Sequence, residues 1–237
     1  METHKVVSRD EWLVARKALL ADEKALSRAR DKVNAQRLEL PWVKVDKEYV
    51  FDTPNGKQTL SQLFDGRSQL IVYHFMFGPG WKEGCPGCSF LSDHIDGANL
   101  HLAHHDVTLL AVSRAPRREF EPFKKRMGWH FTWVSSEGSD FNFDYHVSAT
   151  DQEKAAGKMN YNFETIDSAS DELPGISAFY KDEAGQVFHT YSTYARGGEM
   201  LIGAYHYLDM APKGRNEKEI MDWMKHHDRY ETAAQDS

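Results

Sequence analysis

Cysteine is scarce in this chain of 237 residues, with one at position 85 and one at position 88. A pair that close encloses too short a loop to restrain the unfolded chain, which leaves chemistry as the better reason for it. A second Cys-x-x-Cys is absent, which counts against a four-thiolate zinc site. Nowhere do apolar residues approach the roughly 18 in a row that a membrane span requires, so no membrane partner is expected. The opening residues Met-Glu-Thr-His-Lys-Val-Val-Ser lack the apolar core and the small-residue cleavage site of a secretory leader, and the expected location is cytoplasmic. Positive charge is in deficit: the formal net charge of −7 argues against a partner bound through its phosphate backbone, and no nucleic acid is expected. The basic residues at 114, 117, 118 and 124–126 read as one solvated helical face. Neither a G-x-S-x-G elbow nor a phosphate-binding glycine loop occurs, which sets aside Ser–His–Asp hydrolases and P-loop enzymes.

What is present reads as an α/β chain. Ser8 and Glu11 form a capping box ahead of Trp12. Apolar residues then recur at Trp12, Leu19, Leu26 and Val33 among charged neighbours, so a long amphipathic helix fills an N-terminal extension over 1–40, ended by Pro41. Its narrow seam can pack on the parent domain or mediate a homodimer. Short extended pieces are expected around Val43, Val45, Tyr49 and Phe51, a turn at Thr53-Pro-Asn-Gly56, and a brief helix over 60–64. The run 69–77 is almost continuously apolar and fits a strand buried on both faces. A helix over 89–105 and a second buried strand over 107–113 complete a strand–helix–strand unit, hence a parallel pair. A crossover helix over 116–128 and an extended piece over 129–134 follow. The segment 135–171 reads as an irregular insertion with a short helix near 151–156. Strands over 176–181 and 186–191 flank an Asp182-Glu-Ala-Gly185 turn as a hairpin. A final helix is expected over 216–229, and the tail 231–237 reads as frayed.

The two cysteines frame the sequence Cys85-Pro86-Gly87-Cys88. With Cys85 as N-cap, Pro86 falls at the first helical position, where its missing N–H costs nothing, and the amide of Cys88 can point back at the Cys85 sulfur. Such a setting favours the thiolate, which makes Cys85 the expected nucleophile and Cys88 the resolving thiol. Lys82 and Glu83 beside it act in opposite directions. Histidine is the competing signal. Of the twelve present, His74 lies on the strand leading to the cysteines, His189 on the hairpin and His206 in an aromatic stretch. Two thiolates with one or two imidazoles, as in a set of Cys85, Cys88, His189 and His206, would suit Cu(I) or zinc. A low-pKa thiolate resolved by Cys88 would also suit peroxide reduction of the peroxiredoxin-like kind.

Longer motifs narrow the reading. Glu39-Leu-Pro-Trp-Val43, Leu70-Ile-Val-Tyr-His-Phe-Met-Phe-Gly78, Gly84-Cys-Pro-Gly-Cys-Ser-Phe90, Ala111-Val-Ser-Arg-Ala-Pro116, Phe188-His-Thr-Tyr191 and His226-His-Asp-Arg-Tyr230 resemble the bacterial thioredoxin-like family catalogued as domain of unknown function 899. The resemblance implies a thioredoxin-like fold over 41–237, a central mixed sheet flanked by helices, with the N-terminal helix and the insertion added. It also implies Cys85 and Cys88 as the redox pair and Pro174, just before the hairpin, as a cis-proline of the active site. The dithiol reading needs no cofactor. Its expected partners are a disulfide or small-molecule substrate and a thiol reductant.

Overall fold

The computed structural model describes residues 4–167 and 170–231; the tail beyond Glu231 lies outside them. The chain divides into two compact units, Met1–Pro41 and Trp42–Ser237. The first holds helix α1 (Arg9–Leu38). It starts where the capping box places it: the Ser8 hydroxyl accepts the Glu11 N–H at 3.3 Å and the Glu11 carboxylate accepts the Ser8 N–H at 2.9 Å. None of its residues is buried.

The second unit opens with β1 (Val43–Lys44), then the hairpin of β2 (Val50–Thr53) and β3 (Gly56–Thr59), a 3-10 turn over Gln62–Phe64, and β4 (Gln69–His74). Helices α2 (Pro86–Ser92) and α3 (Ile95–His104) lead into β5 (Val107–Ser113), and α4 (Arg117–Arg126) into β6 (Trp133–Ser135). After α5 (Phe141–Asp144) and α6 (Asp151–Ala156) come β7 (Lys158–Tyr161), β8 (Glu164–Asp167), β9 (Gly175–Lys181), β10 (Val187–Tyr194) and α7 (Gly203–Met210). Eight strands form one sheet in the order β1-β10-β9-β4-β5-β6-β2-β3, and β7 with β8 forms a separate hairpin. β4 is parallel to β5 and antiparallel to β9, which pairs antiparallel with β10. This mixed core of β5, β4, β9 and β10, flanked by helices, is a thioredoxin-like fold.

Alternation along β4 divides the core. Leu70 and Val72 belong to one cluster with Phe51, Phe64 and Val112. Tyr73, with Phe75 just beyond the strand, belongs to the other, with Trp133, Phe120 and Phe123. Period-two side-chain direction is the cause. Trp133 is fully buried and stacks on Phe120 with ring centroids 4.5 Å apart. The cysteines lie on that aromatic side.

Three expectations change. The helix over 89–105 is broken at Asp93 and His94, where the His94 imidazole turns back to the Phe90 carbonyl at 2.8 Å. The insertion is more ordered than its polar composition implies, because Asn162 and Phe163 take the positive φ of a tight hairpin turn without the glycine that usually signals one. The final helix over 216–229 does not form. Side chains there capture the backbone amides a helix needs: Glu217 accepts the Met221 N–H at 3.0 Å and Asp222 accepts that of Lys218 at 3.1 Å, while Asn216 and Met221 are left-handed. Local bonds of this kind compete with helix formation. The helix forms earlier instead, as α7, and the chain from 211 to 231 becomes a strap.

Candidate active site

The turn after β4 delivers the dithiol. Cys85 caps α2 with an extended φ of −56° and ψ of 130°, and Pro86 occupies the first turn. The Cys85 N–H donates to the Met76 carbonyl at 3.3 Å, and the Cys85 carbonyl accepts the Ser89 N–H at 2.9 Å and the Ser89 hydroxyl at 2.9 Å. Gly84 is needed because a Cβ there would lie 2.5 Å from the Phe75 ring and 2.8 Å from that of Phe123. Cys85 is half-buried and Cys88 is buried, both as free thiols.

The two sulfurs are electrostatically unequal. The Cys85 thiol is pulled down to about 6, first by a hydrogen bond from the Cys88 side chain, and against desolvation, with the amides of Cys88 and Gly87 adding to the effect. The Cys88 thiol is pushed up, chiefly by burial and then by the thiolate it serves as donor. Its sulfur accepts a hydrogen bond from Tyr73 and one from the Met76 N–H at 3.5 Å. Tyr73 escaped the sequence reading because it sits inside an apolar run; its place facing α2 follows from strand alternation, the one signal that could have found it.

Of the opposing charges beside the motif, that of Glu83 is offset by pairing. Glu83 is held by Arg126 and Arg229, whose hydrogen bonds keep its carboxyl below the usual range, so its repulsion of a thiolate is offset. Arg126 also donates to His226 Nδ1 at 2.9 Å. A guanidinium cannot accept, so Nδ1 is the acceptor and the proton sits on Nε2, which donates to the Gly84 carbonyl at 2.9 Å. The strap is thereby tied to the turn that carries Cys85.

Pro174 lines one cavity with Cys85, Cys88 and Tyr73. Its peptide bond is trans, since no cis bond occurs among the described residues. The expected cis geometry is corrected on that point. Leu173 donates to the Val147 carbonyl at 2.8 Å and the Pro174 carbonyl accepts from Tyr161 at 2.6 Å, which brings the segment into β9 in the isomer favoured by about 0.5–1 kcal/mol.

The three histidines weighed as ligands, His74, His189 and His206, do not join the cysteines. His74 is stacked on Phe141 and Tyr145, in the other half of the core, and bonds Ser177 at 2.8 Å. His189 bonds Ser192 at 2.8 Å and packs on Phe179 and Tyr145. His206, on α7, is exposed and bonded to the Met200 carbonyl at 3.3 Å. Neither His189 nor His206 lines the cavity, and among the described residues no three His, Cys, Asp or Glu side chains group as a metal site. The set of Cys85, Cys88, His189 and His206 is therefore not brought together for copper or zinc. Among the described residues no helix is long and apolar enough to cross a membrane.

The profile of the family described as "Bacterial protein of unknown function (DUF899)" matches residues 1–230. The chain belongs to the DUF899 family. No curated protein matches this DUF899 chain. Solved structures similar to it include peroxidoxin BcpB from Mycobacterium tuberculosis, at 13% identity and a TM-score of 0.41 over 69% of this chain and 94% of the other. Peroxiredoxin Q from Xanthomonas campestris is similar at 14% identity and a TM-score of 0.42, over 65% and 87%. A putative protein disulfide isomerase from Bacteroides thetaiotaomicron is similar at 16% and 0.38, over 70% and 91%.

With its thiol at about 6, Cys85 is about nine-tenths thiolate at pH 7. Its alkylation by iodoacetamide is expected to rise through pH 6 and level off above pH 7, while Cys88 stays unlabelled in the native state. An inflection near the ordinary thiol value of about 8.5 would contradict this. The same shift, from 9.0 to about 6, makes the reduced fold gain stability as pH rises from 6 toward 9 and lose it as pH falls through 6.

Proposed function

We propose that this protein is a thiol–disulfide oxidoreductase in which Cys85 is the nucleophile and Cys88 the resolving thiol. The observation that carries the reading is the inequality of the two sulfurs: a half-buried thiol at about 6 receives a hydrogen bond from a buried one pushed up. The Cys85 thiolate attacks one sulfur of a disulfide, the substrate S–S bond breaks, and the first thiolate leaves and takes a proton from solvent. Cys88 then gives up its proton and attacks the Cys85 sulfur, releasing the second thiol and closing the Cys85–Cys88 disulfide. The substrate gains two electrons and the protein loses them, to be restored by an external dithiol. Tyr73 holds the Cys88 sulfur and stabilises the charge that forms there during resolution.

Reaction of the reduced protein with bis(2-hydroxyethyl) disulfide, read by thiol release and intact mass, tests the reading. Release of both substrate thiols with closure of the intramolecular disulfide, reversed by dithiothreitol, is expected. Release of a single thiol with a lasting adduct on the parent protein, or no reaction, would overturn it.

A further inference from the structure

Cys85 opens onto a cavity of about 260 Å³, just below the roughly 300–1,000 Å³ typical of sites for drug-sized ligands. Its walls are mostly hydrocarbon: Leu91 from α2, Ile176 from β9, Ile202 ahead of α7, and Ile220 with Met221 from the strap. The Met221 sulfur comes within 3.2 Å of where a Cβ on Gly87 would stand, the Cys85 sulfur being the next neighbour at 3.8 Å. The strap therefore forms a wall beside the reactive sulfur.

The charged side chains on the cavity wall, Arg196 and Glu199, are paired. Arg196 donates to both oxygens of Glu199, at 3.2 and 3.1 Å, and Arg215 shares the first of them at 3.3 Å. Arg215 is itself held by Asp209 at 2.7 Å. A substrate carboxylate would meet a guanidinium whose charge Glu199 already offsets, or lie unpaired against hydrocarbon, which is costly.

Resting on the dithiol reading, we infer that the cavity selects a small, uncharged alkyl disulfide and not a peptide or protein disulfide. One alkyl group fills the space between Ile176, Ile202 and Met221 while its sulfur meets Cys85. The bonds made and broken are those of the dithiol reaction, with two alkyl thiols as products and an external dithiol as reductant.

The test is a homologous series of dialkyl disulfides from dimethyl to dihexyl, with oxidised glutathione and insulin for comparison, each rate divided by that of free dithiothreitol with the same disulfide. Rates are expected to rise by up to about fourfold for each methylene taken into the cavity, then to level or fall once it is full. Gly198→Leu should move that limit to a shorter chain. Gly198 lines the cavity, and a Cβ there meets the Ile176 and Leu91 side chains at 3.5 and 3.6 Å, an ordinary contact that the fold can hold. Ile220→Asp changes a residue that is 58% exposed, so folding is spared, and should flatten the gradient by placing a carboxylate at the mouth. Equal normalised rates along the series, or faster reaction of glutathione or insulin disulfide than of dipropyl disulfide, would overturn the inference and leave the dithiol reading standing. Failure of every disulfide to close the Cys85–Cys88 bond would remove both.

Discussion

Cys88→Ser is expected to abolish turnover after a single covalent event, leaving Cys85 as a lasting mixed disulfide with substrate. A serine hydroxyl is not ionised near neutral pH and cannot make the second attack, so product stays bound. Cys85→Ser is expected to form no adduct, because Cys88 is 2% exposed and its thiol is pushed up by burial. The two variants thus separate the roles of chemically identical side chains, and intact mass after exposure to a disulfide reads both. A further contrast follows from the hydrogen bond that chiefly lowers the Cys85 thiol. Serine at 88 still donates, whereas Cys88→Ala does not. The alkylation profile of Cys85 should therefore move to higher pH in the alanine variant and much less in the serine variant. Adducts trapped equally by Cys85→Ser and Cys88→Ser would refute the assignment.

Gly84→Ala is expected to cost about 3 kcal/mol, the upper end of what an overpacked core usually shows. The added Cβ would stand 2.5 Å from the Phe75 ring and 2.8 Å from the Phe123 ring. Both rings are buried and held in one aromatic cluster with Trp133 and Trp129, so neither can withdraw cheaply. For a chain of this size the loss corresponds to a fall in Tm of about 6–12 °C. The Gly84 carbonyl also carries the bond from His226, so the shift should loosen the strap and raise the exposure of Cys85. Gly97→Ala makes the comparison: it lies within α3, meets nothing within 4 Å, and should leave Tm unchanged or raise it. Equal melting of the two variants would contradict the packing argument.

Several features of this protein can be read along the chain. The capping box at Ser8 and Glu11, the parallel pair of buried strands and the hairpin around Asp182 and Gly185 were legible because each rests on neighbours within one turn or one strand. The dithiol was legible for the same reason: N-cap, proline and second cysteine are four consecutive residues whose geometry is local. Other features depend on contacts between segments far apart in sequence. His74 and Tyr73 are adjacent in sequence and pleating sends them to opposite faces, but that the tyrosine's face is the one meeting the cysteines is set by the packing of the folded core. The segment 216–229 has helical composition, yet amides within it go to Glu217 and Asp222, and His226 and Arg229 are anchored on Gly84 and Glu83, far away in sequence. The pairing of Glu83 with arginines 43 and 146 positions away in sequence offset a charge that opposes the thiolate. Charge and apolar pattern are read along the chain, but desolvation and Coulomb energy depend on distance in space, and that distance exists only once the chain has folded.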